Sequence, residues 1–311
     1  MVEKRPVGTS GIEVAPLALG GNVFDWTADE ETSFAVLDAF LDAGGAMIDT
    51  ADVYSAWAPG HKGGESELLI GRWLKRSGRR NEVVIATKVG FFEGLAPDKI
   101  AAACDSSLER LGADCIDVYY QHKDDESVPL ADSLGAFDRL VEAGKIRAIG
   151  LSNFTAERTE EAIDTARRLG LTPPAALQPW YNLVERQRFE GDLRDSALRH
   201  GLAVFPYYSL ANGFLTGKYR SKDDLDQSVR GLRNVDYLEG KGTRVLHALD
   251  DVAAETEAAL ATVALAWTMV QPAITAPIAS ATSIAQLAEL VAAMELDLTP
   301  QQIARLDTAS S

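Results

Sequence analysis

The sequence predicts an α/β protein that folds as one (β/α)8 barrel, or TIM barrel, with an N-terminal β-hairpin. The chain has 311 residues, 46% of them hydrophobic and 24% charged, which is enough for one large core of the size common among barrel enzymes. Short apolar runs alternate with longer segments of helical periodicity, a pattern typical of repeated βα units. Because no linker-like stretch or repeat interrupts this alternation, we expect residues 1–311 to form a single domain.

Eight strands are predicted from runs rich in valine, isoleucine and aromatic residues. They span residues 15–20, 46–49, 83–88, 116–122, 148–151, 176–179, 203–207 and 274–278. Strict alternation of strands with helices predicts a parallel sheet. The count of eight favours a closed barrel, although spacing alone leaves an open doubly wound sheet as an alternative.

The connecting segments predict helices, a hairpin and one long loop. Four of them are predicted as helices and end in glycine, the residue favoured just after a helix C-terminus. They are EETSFAVLDAFLDAG, ESELLIGRWLKRSG, PDKIAAACDSSLERLG and PLADSLGAFDRLVEAG. The opening VGTSGIEVAPLAL predicts a hairpin that turns at residues 9–11 and closes one end of the barrel. Residues 219–243, which contain KDDLDQS and several glycines, predict a long irregular loop of the kind that often forms a lid.

Composition excludes several classes of function. A formal net charge of −16 repels phosphate backbones and anionic lipid surfaces, so neither nucleic acid nor membrane is an expected partner. No run approaches the roughly 18 apolar residues of a membrane span, and the N-terminus does not resemble a signal peptide. We therefore expect a soluble, cytoplasmic protein, either a monomer or a small homo-oligomer.

Cysteine and histidine spacing predicts neither a redox site nor a metal site. Cys104 and Cys115 fall in a predicted helix and the following strand, and we expect both to be buried free thiols. The four histidines lie at positions 61, 122, 200 and 247, without metal-ligand spacing.

Polar residues at the carboxyl ends of three predicted strands indicate the active site, because barrel enzymes build their sites there. They are Asp49, Tyr54, Lys88 and His122. A lysine ending an apolar strand needs a carboxylate such as Asp49 if it is buried. Its ammonium would lower the pKa of Tyr54 and make the phenol a usable general acid. Taken singly, these residues also fit a surface aromatic, a strand-end histidine and a structural ion pair.

Five segments follow one another along the chain: MIDTADVYS, GGESELLIGRWLK, IATK, a QH pair at the end of a strand, and GKIRAIGLSNF. In their order and spacing they closely resemble the aldo-keto reductase family. The resemblance extends from about residue 7 to about residue 299. It implies a catalytic tetrad of Asp49, Tyr54, Lys88 and His122. Tyr54 would protonate the substrate oxygen, and Lys88 and Asp49 would adjust the acidity of Tyr54. His122 would orient the carbonyl group, which accepts hydride from C4 of the nicotinamide.

The same resemblance implies how NADPH (or NADP+) would be bound. Ser152, Asn153 and Gln178 match residues that hold the carboxamide, and Tyr207 matches the aromatic on which the nicotinamide stacks. The residues that match the phosphate contacts are Ser209, Leu210, Asn212 and Lys218. Those that match the adenosine contacts are Ser280, Thr282, Ser283, Gln286 and Glu289.

The chain departs from the family pattern at the adenosine end. Ser280 replaces a common glycine, and Ser283 replaces a common basic residue that grips the 2′-phosphate. A hydroxyl binds phosphate more weakly than a guanidinium, so NADH is also possible as cofactor. Arg230 or Arg233, on the long loop, would compensate if the loop folded over the cofactor.

The substrate pocket is expected to be lined by loop residues that follow the strands, and by several aromatic rings in particular. They are Asn22, Phe24, Trp26, Trp57, Phe91 and Trp180. This lining predicts a small apolar or aryl carbonyl substrate.

Three other functions stay open at this point. The first is a cofactor-binding regulatory subunit, since the potassium-channel β subunits resemble reductases. The second is an NAD-linked sugar or alcohol dehydrogenase of the same fold. The third, a metal-dependent aldolase or hydrolase, is disfavoured by the histidine spacing.

Overall fold

The computed structural model describes residues 2–311 and confirms the barrel. Eight parallel strands form one curled sheet surrounded by helices, and a two-stranded antiparallel hairpin precedes them. The hairpin strands are β1 (Arg5–Pro6) and β2 (Glu13–Val14). The barrel strands are β3 (Ala18–Gly20), β4 (Met47–Asp49), β5 (Val84–Val89), β6 (Ile116–Gln121), β7 (Ile146–Ser152), β8 (Ala176–Gln178), β9 (Ala203–Val204) and β10 (Ile278–Ala279).

Strands pair in chain order from β3 to β9, and β10 pairs with β3 through Ile278 opposite Ala18. The ring closes between β9 and the residues before β10. Val204 forms a parallel bridge with Ile274, and the Ile278 N–H donates to the Pro206 carbonyl oxygen at 2.8 Å. The open-sheet alternative is therefore wrong.

Three strands are shorter or later than the sequence predicts. The first, predicted at 15–20, is β3 at Ala18–Gly20. The last strand, predicted at 274–278, is β10 at Ile278–Ala279, and the strand predicted at 203–207 ends at Val204. Pro277 and Pro206 interrupt the pairing in these last two strands, because proline has no backbone N–H to donate to a neighbouring strand. Beyond Pro206 a contact persists, since the Tyr207 N–H donates to the Pro179 carbonyl oxygen at 2.9 Å.

Ten α-helices surround the barrel within the described residues 2–311. They are α1 (Glu30–Asp42), α2 (Glu65–Ser77), α3 (Pro97–Leu111), α4 (Leu130–Glu142), α5 (Ala156–Leu169), α6 (Asp192–His200), α7 (Lys241–Thr256), α8 (Leu260–Met269), α9 (Ile284–Ala292) and α10 (Pro300–Ser310). The predicted glycine ends are confirmed at Gly78 and Gly112, whose φ values of 69° and 60° are left-handed. None of the helices within 2–311 has the length and apolarity needed to cross a bilayer.

The segment 219–243 is more ordered than predicted. It forms two 3-10 helices, Lys222–Gln227 and Gly231–Tyr237, and then enters α7. The first begins with a capping box, in which Ser221 and Asp224 satisfy each other's backbone N–H groups. Local polar capping, which the apolar pattern does not reveal, therefore orders this segment.

The hairpin closes one end of the barrel, as predicted. The Val7 N–H donates to the Ile12 carbonyl oxygen at 2.8 Å across the turn. Val7 and Ile12 pack into one cluster with inward-facing strand residues that include Tyr120 and Phe205. The turn lies so close to β8 that a Cβ on Gly8 would stand 2.4 Å from the Ala175 carbonyl oxygen.

The two cysteines differ in environment. Cys104 is a buried free thiol within α3, as expected. Cys115 is also free, but it is only partly buried and lies one residue before β6. The expectation of full burial is wrong for Cys115.

Candidate active site

Adjacent parallel strands bring the predicted tetrad together. Asp49 ends β4, Lys88 lies near the end of β5, His122 follows β6, and Tyr54 lies in the turn after β4. The Lys88 Nζ donates to Asp49 Oδ2 at 2.7 Å and to the Tyr54 hydroxyl oxygen at 2.9 Å. The site therefore contains a hydrogen-bonded Asp–Lys–Tyr group at the carboxyl edge of the barrel.

The hydrogen bonds of Lys88 determine where the Tyr54 proton lies. The ammonium is fully buried, and its third N–H donates to the Thr50 carbonyl oxygen at 2.7 Å. Its three donors are thus all used. The Tyr54 oxygen accepts from Lys88, and its hydroxyl donates only a long hydrogen bond, of 3.4 Å, to Asp49 Oδ2. Tyr54 therefore keeps a proton that another acceptor can take.

Burial, and the negative charge of Asp49, raise the pKa of Tyr54 well above its usual value. The expected lowering of the Tyr54 pKa is therefore wrong, because burial and the Asp49 carboxylate raise it. Burial also lowers the pKa of Lys88, an effect that the ion pair with Asp49 opposes. At neutral pH Tyr54 is protonated and thus available as an acid.

His122 lies beside Tyr54 as a neutral imidazole. The two ring centroids are 6.1 Å apart, and the Phe91 ring is 4.9 Å from the imidazole. Burial and the nearby Lys88 and Lys123 ammonium groups hold the pKa of His122 well below its usual value. Its Nδ1 is enclosed and has no hydrogen-bond partner among residues 2–311. A neutral imidazole can donate one N–H to a substrate oxygen.

The residues predicted to hold the carboxamide are connected to the tetrad. Gln178 Nε2 donates to Asp49 Oδ1 at 2.9 Å, and the Ser152 hydroxyl donates to the Gln178 carbonyl oxygen at 3.0 Å. Asn153 Nδ2 donates to the His122 carbonyl oxygen at 2.8 Å. The Tyr207 hydroxyl donates to Asn153 Oδ1 at 2.6 Å. Sequence reasoning did not predict the contact between Gln178 and Asp49, because it joins residues 129 positions apart.

The loop predicted to hold phosphates has an unusual backbone. Ala211 and Asn212 have φ values of 48° and 55°, in the left-handed region that L-residues adopt rarely. Asn212 Oδ1 is enclosed without a partner among the described residues. Ser209 is buried, Leu210 is partly buried, and Lys218 is exposed with its ammonium 5.0 Å from the Tyr219 ring.

The residues at the predicted adenosine end surround the start of α9. Ser283 is the N-cap and accepts from the Gln286 N–H at 3.2 Å. The Thr282 N–H and hydroxyl both donate to Gln286 Oε1, and Glu289 is exposed one turn further along. The Ser280 hydroxyl donates to Asn22 Oδ1 at 2.7 Å. Asn22, predicted in the substrate pocket, is therefore linked to the predicted cofactor residues.

Aromatic rings cluster at this edge of the barrel, but one predicted member of the pocket lining is absent. Trp57 lies 5.8 Å from the Tyr54 ring and 5.6 Å from Trp26, while Trp180 lies 6.1 Å from Tyr207. Phe24, by contrast, is 0% exposed and belongs to the core between strands and helices. Its side chain therefore does not line the pocket, because the turn after β3 directs it inward.

The 3-10 helices of segment 219–243 lie against these rings. The Arg230 guanidinium stands 5.1 Å from the Trp26 ring centroid, and Arg233 reaches the Tyr208 hydroxyl at 3.5 Å. The two arginines that the sequence suggested as phosphate ligands thus contact residues of the site rim.

A second layer of buried charge lies behind Lys88, and sequence reasoning missed it. Glu67 is fully buried in α2, accepts from the Thr87 hydroxyl at 2.5 Å and pairs with Arg110 at 2.7 Å. A signal was present, since Glu67 lies on the same helix face as Ile70 and Leu74, and a charge there implies a buried partner. No group of three or more potential metal ligands occurs within residues 2–311.

Comparison with known proteins identifies the family of this chain. The sequence model of the Aldo/keto reductase family matches residues 16–311. The chain is 32% identical to aldo-keto reductase str7 of Strobilurus tenacellus over 306 residues, which cover 96% of this chain and 86% of that protein. It is 31% identical to aldo-keto reductase yakc of Schizosaccharomyces pombe, whose name specifies NADP(+), over 91% of this chain and 83% of that protein.

A third relative has a different name. A probable voltage-gated potassium channel subunit beta of Oryza sativa subsp. japonica is 30% identical over 98% of this chain and 96% of that protein. The family match nevertheless spans nearly the whole chain. The chain belongs to the aldo/keto reductase family, and it is an NAD(P)H-dependent oxidoreductase of that family.

Proposed function

We propose that this protein reduces an aldehyde or ketone to the alcohol with NADPH, and catalyses the reverse oxidation, with Tyr54 as the general acid. The observation that carries the proposal is the buried Lys88 ammonium, which donates to both Asp49 and the Tyr54 oxygen. This geometry leaves the Tyr54 proton available and places a positive charge beside the oxygen that loses it.

The reduced nicotinamide, when bound, supplies the hydride that its C4 gives to the carbonyl carbon. Tyr54 donates its proton to the carbonyl oxygen, where negative charge develops. Lys88 stabilises the phenolate that results, and Asp49 keeps Lys88 charged. The neutral His122 donates a hydrogen bond to the same carbonyl oxygen and orients it. In the reverse direction the Tyr54 phenolate is the base.

The residues around the tetrad fit a dinucleotide. Asn212 Oδ1 and His122 Nδ1 are enclosed polar atoms without partners among residues 2–311, and such atoms favour a ligand that completes their hydrogen bonds. Lys218 offers an exposed ammonium to a phosphate. The α9 N-terminus, capped by Ser283, adds a positive dipole end at the predicted adenosine position. NADPH is our choice of cofactor because the similar yakc protein carries NADP(+) in its name.

The aromatic rim supports an apolar or aryl carbonyl as the substrate class. Trp57 is 47% exposed and Phe91 is 37% exposed, so both rings offer apolar surface beside the Tyr54 and His122 side chains. Burying such surface against a flat substrate is favourable.

The proposal is tested by NADPH consumption, and separately NADH consumption, with a panel of aryl and aliphatic aldehydes. We expect turnover by the wild type and a loss of about 10²–10⁴-fold in Tyr54→Phe, the usual contribution of a general acid. Tyr237→Phe is a matched control, because that hydroxyl donates to Glu185 away from the tetrad. Equal rates for wild type and Tyr54→Phe would overturn the assignment of Tyr54.

A cofactor-binding regulatory subunit is the second candidate, because three of the similar proteins carry the name of a potassium channel subunit beta. Tight NADPH binding without reduction of any aldehyde on the panel would favour this function. A faster alcohol oxidation with NAD+ than with NADP+ would instead favour an NAD-linked dehydrogenase.

A further inference from the structure

Five charged side chains lie together behind the Tyr54 hydroxyl. Asp49, Asp52 and Glu67 are acids, and Lys88 and Arg110 are bases whose charges act on them. If all five were ionised, this largely buried group would carry one uncompensated negative charge. Burying such a charge is costly, and a protein usually avoids the cost by binding a proton. One of the three acids should therefore be protonated.

Hydrogen bonding identifies which acid holds that proton. Both oxygens of Glu67 accept bonds, from Thr87 at 2.5 Å and from Arg110 at 2.7 Å. Both oxygens of Asp49 also accept hydrogen bonds, at 2.7 Å from the Lys88 ammonium and at 2.9 Å from the Gln178 side-chain amide. Asp52 Oδ1 is enclosed and has no partner among the described residues. The least stabilised carboxylate is thus that of Asp52.

The backbone places Asp52 beside Lys88, since the Asp52 N–H donates to the Lys88 carbonyl oxygen at 3.2 Å. Burial and the Glu67 charge raise the pKa of Asp52 to about 7, while Arg110, Lys88 and a backbone hydrogen bond from Val53 act in the opposite direction.

The other titratable groups facing this cluster are neutral. On β6, burial raises the pKa of the Tyr119 phenol well above its usual value, and the phenol oxygen is enclosed without a partner among residues 2–311. On α3, burial raises the pKa of the Cys104 thiol to about 12. Neither group supplies charge near neutral pH, so Asp52 is the group of this cluster that changes charge there.

We propose that Asp52 is a positioning residue, which acts on the reduction through Lys88. Protonated Asp52 leaves the Lys88 charge free to stabilise the Tyr54 phenolate. Ionised Asp52 weakens that stabilisation. The inference rests on the proposed role of Tyr54. Below the Asp52 transition the reduction runs at its full rate. Above it, an added negative charge opposes phenolate formation, and we expect the rate to fall about three- to tenfold.

The first test is the pH profile of kcat for reduction between about pH 6 and about pH 8, around the Asp52 transition. We expect the wild-type rate to fall across this range, whereas Asp52→Asn, which imitates the protonated acid, keeps the full rate. Asp114→Asn, at an exposed site, should follow the wild type. A profile for Asp52→Asn that falls like that of the wild type would overturn the proposal.

The second test does not need turnover. Isotope-edited infrared spectra of the wild-type protein, with aspartate labelled, should show a buried protonated carboxyl that ionises across the same pH range, and Asp52→Asn should lack it. Absence of this band from the wild type would overturn the proposal. If the band titrates but the wild type reduces no carbonyl, the proposed function fails while the protonation of Asp52 stands.

Discussion

At the scale of single residues, Lys88 connects stability with chemistry. Its ammonium is 0% exposed and serves Asp49, Thr50 and Tyr54 together. Replacing Lys88 with methionine leaves the Asp49 carboxylate buried without its cation. We therefore expect Lys88→Met to lower the free energy of unfolding by about 3–5 kcal/mol in urea titrations.

Two further variants control for that result. Lys75→Met removes an exposed ammonium and should change the free energy of unfolding by less than about 0.5 kcal/mol. Adding Asp49→Asn to Lys88→Met removes the stranded charge and should recover part of the loss. A Lys88→Met protein as stable as the wild type would show that the buried pair is dispensable for the fold.

His122 makes stability depend on pH. Its pKa is well below the usual value in the folded protein, so the unfolded chain binds a proton to this residue first as pH falls. Folding stability should decrease below about pH 6.5, by up to about 1.4 kcal/mol per pH unit. We expect His122→Gln to flatten this slope in urea titrations, whereas His247→Gln, at an exposed position of α7, should keep it.

The grouping of Asp49, Tyr54, Lys88 and His122 was predictable, because strand-end position and the family resemblance both bring these residues together. The direction of the Tyr54 pKa shift was not, because it depends on how burial and the Asp49 charge combine in space. The inward direction of Phe24 was missed for the same reason.

At the scale of elements, the hairpin offers a clean comparison of two glycines. Gly8 has a φ of 53°, and a Cβ there would stand 2.4 Å from the Ala175 carbonyl oxygen, whereas Gly11 has a φ of 73° with open space around it. Gly11→Ala should cost only the left-handed strain of about 1–2 kcal/mol. Gly8→Ala should cost clearly more, because the turn must also move away from β8. Thermal unfolding of both variants measures the difference, and equal Tm values would contradict the close packing of the hairpin.

The segment 219–243 bears on cofactor choice. Arg230 stacks on Trp26 and Arg233 reaches Tyr208, so both positive charges lie at the rim of the site. If they compensate for the serine at position 283, Arg230→Gln together with Arg233→Gln should reduce the ratio of kcat/KM with NADPH to that with NADH by about tenfold or more. An unchanged ratio would remove the arginines from 2′-phosphate recognition.

Most elements were predictable from periodicity and from glycine at helix ends, as for α2 and α3. Strand ends were less predictable: at Pro206 and Pro277 the apolar pattern continues, but the missing N–H interrupts the strand pairing. The order within 219–243 comes from the capping of Ser221 by Asp224, which has no apolar signature.

At the scale of the whole molecule, alternation of strands and helices was enough to predict the barrel. Its closure was not predictable, because it depends on contacts between β9 and residues near β10 that are about 70 positions apart in the chain. The charge cluster around Asp52 was likewise not predictable, since it depends on how side chains from strands β4 and β5 and helices α2 and α3 meet in space.

The central claim is hydride transfer to a carbonyl carbon in this barrel, and isotope transfer tests it most directly. The protein is given NADPH deuterated at the reactive C4 position together with an aryl aldehyde, and the alcohol is examined by mass spectrometry. The account predicts one deuterium on the carbinol carbon with the wild type and almost no labelled alcohol with Tyr54→Phe. Oxidation of the cofactor without deuterium in the alcohol would contradict it.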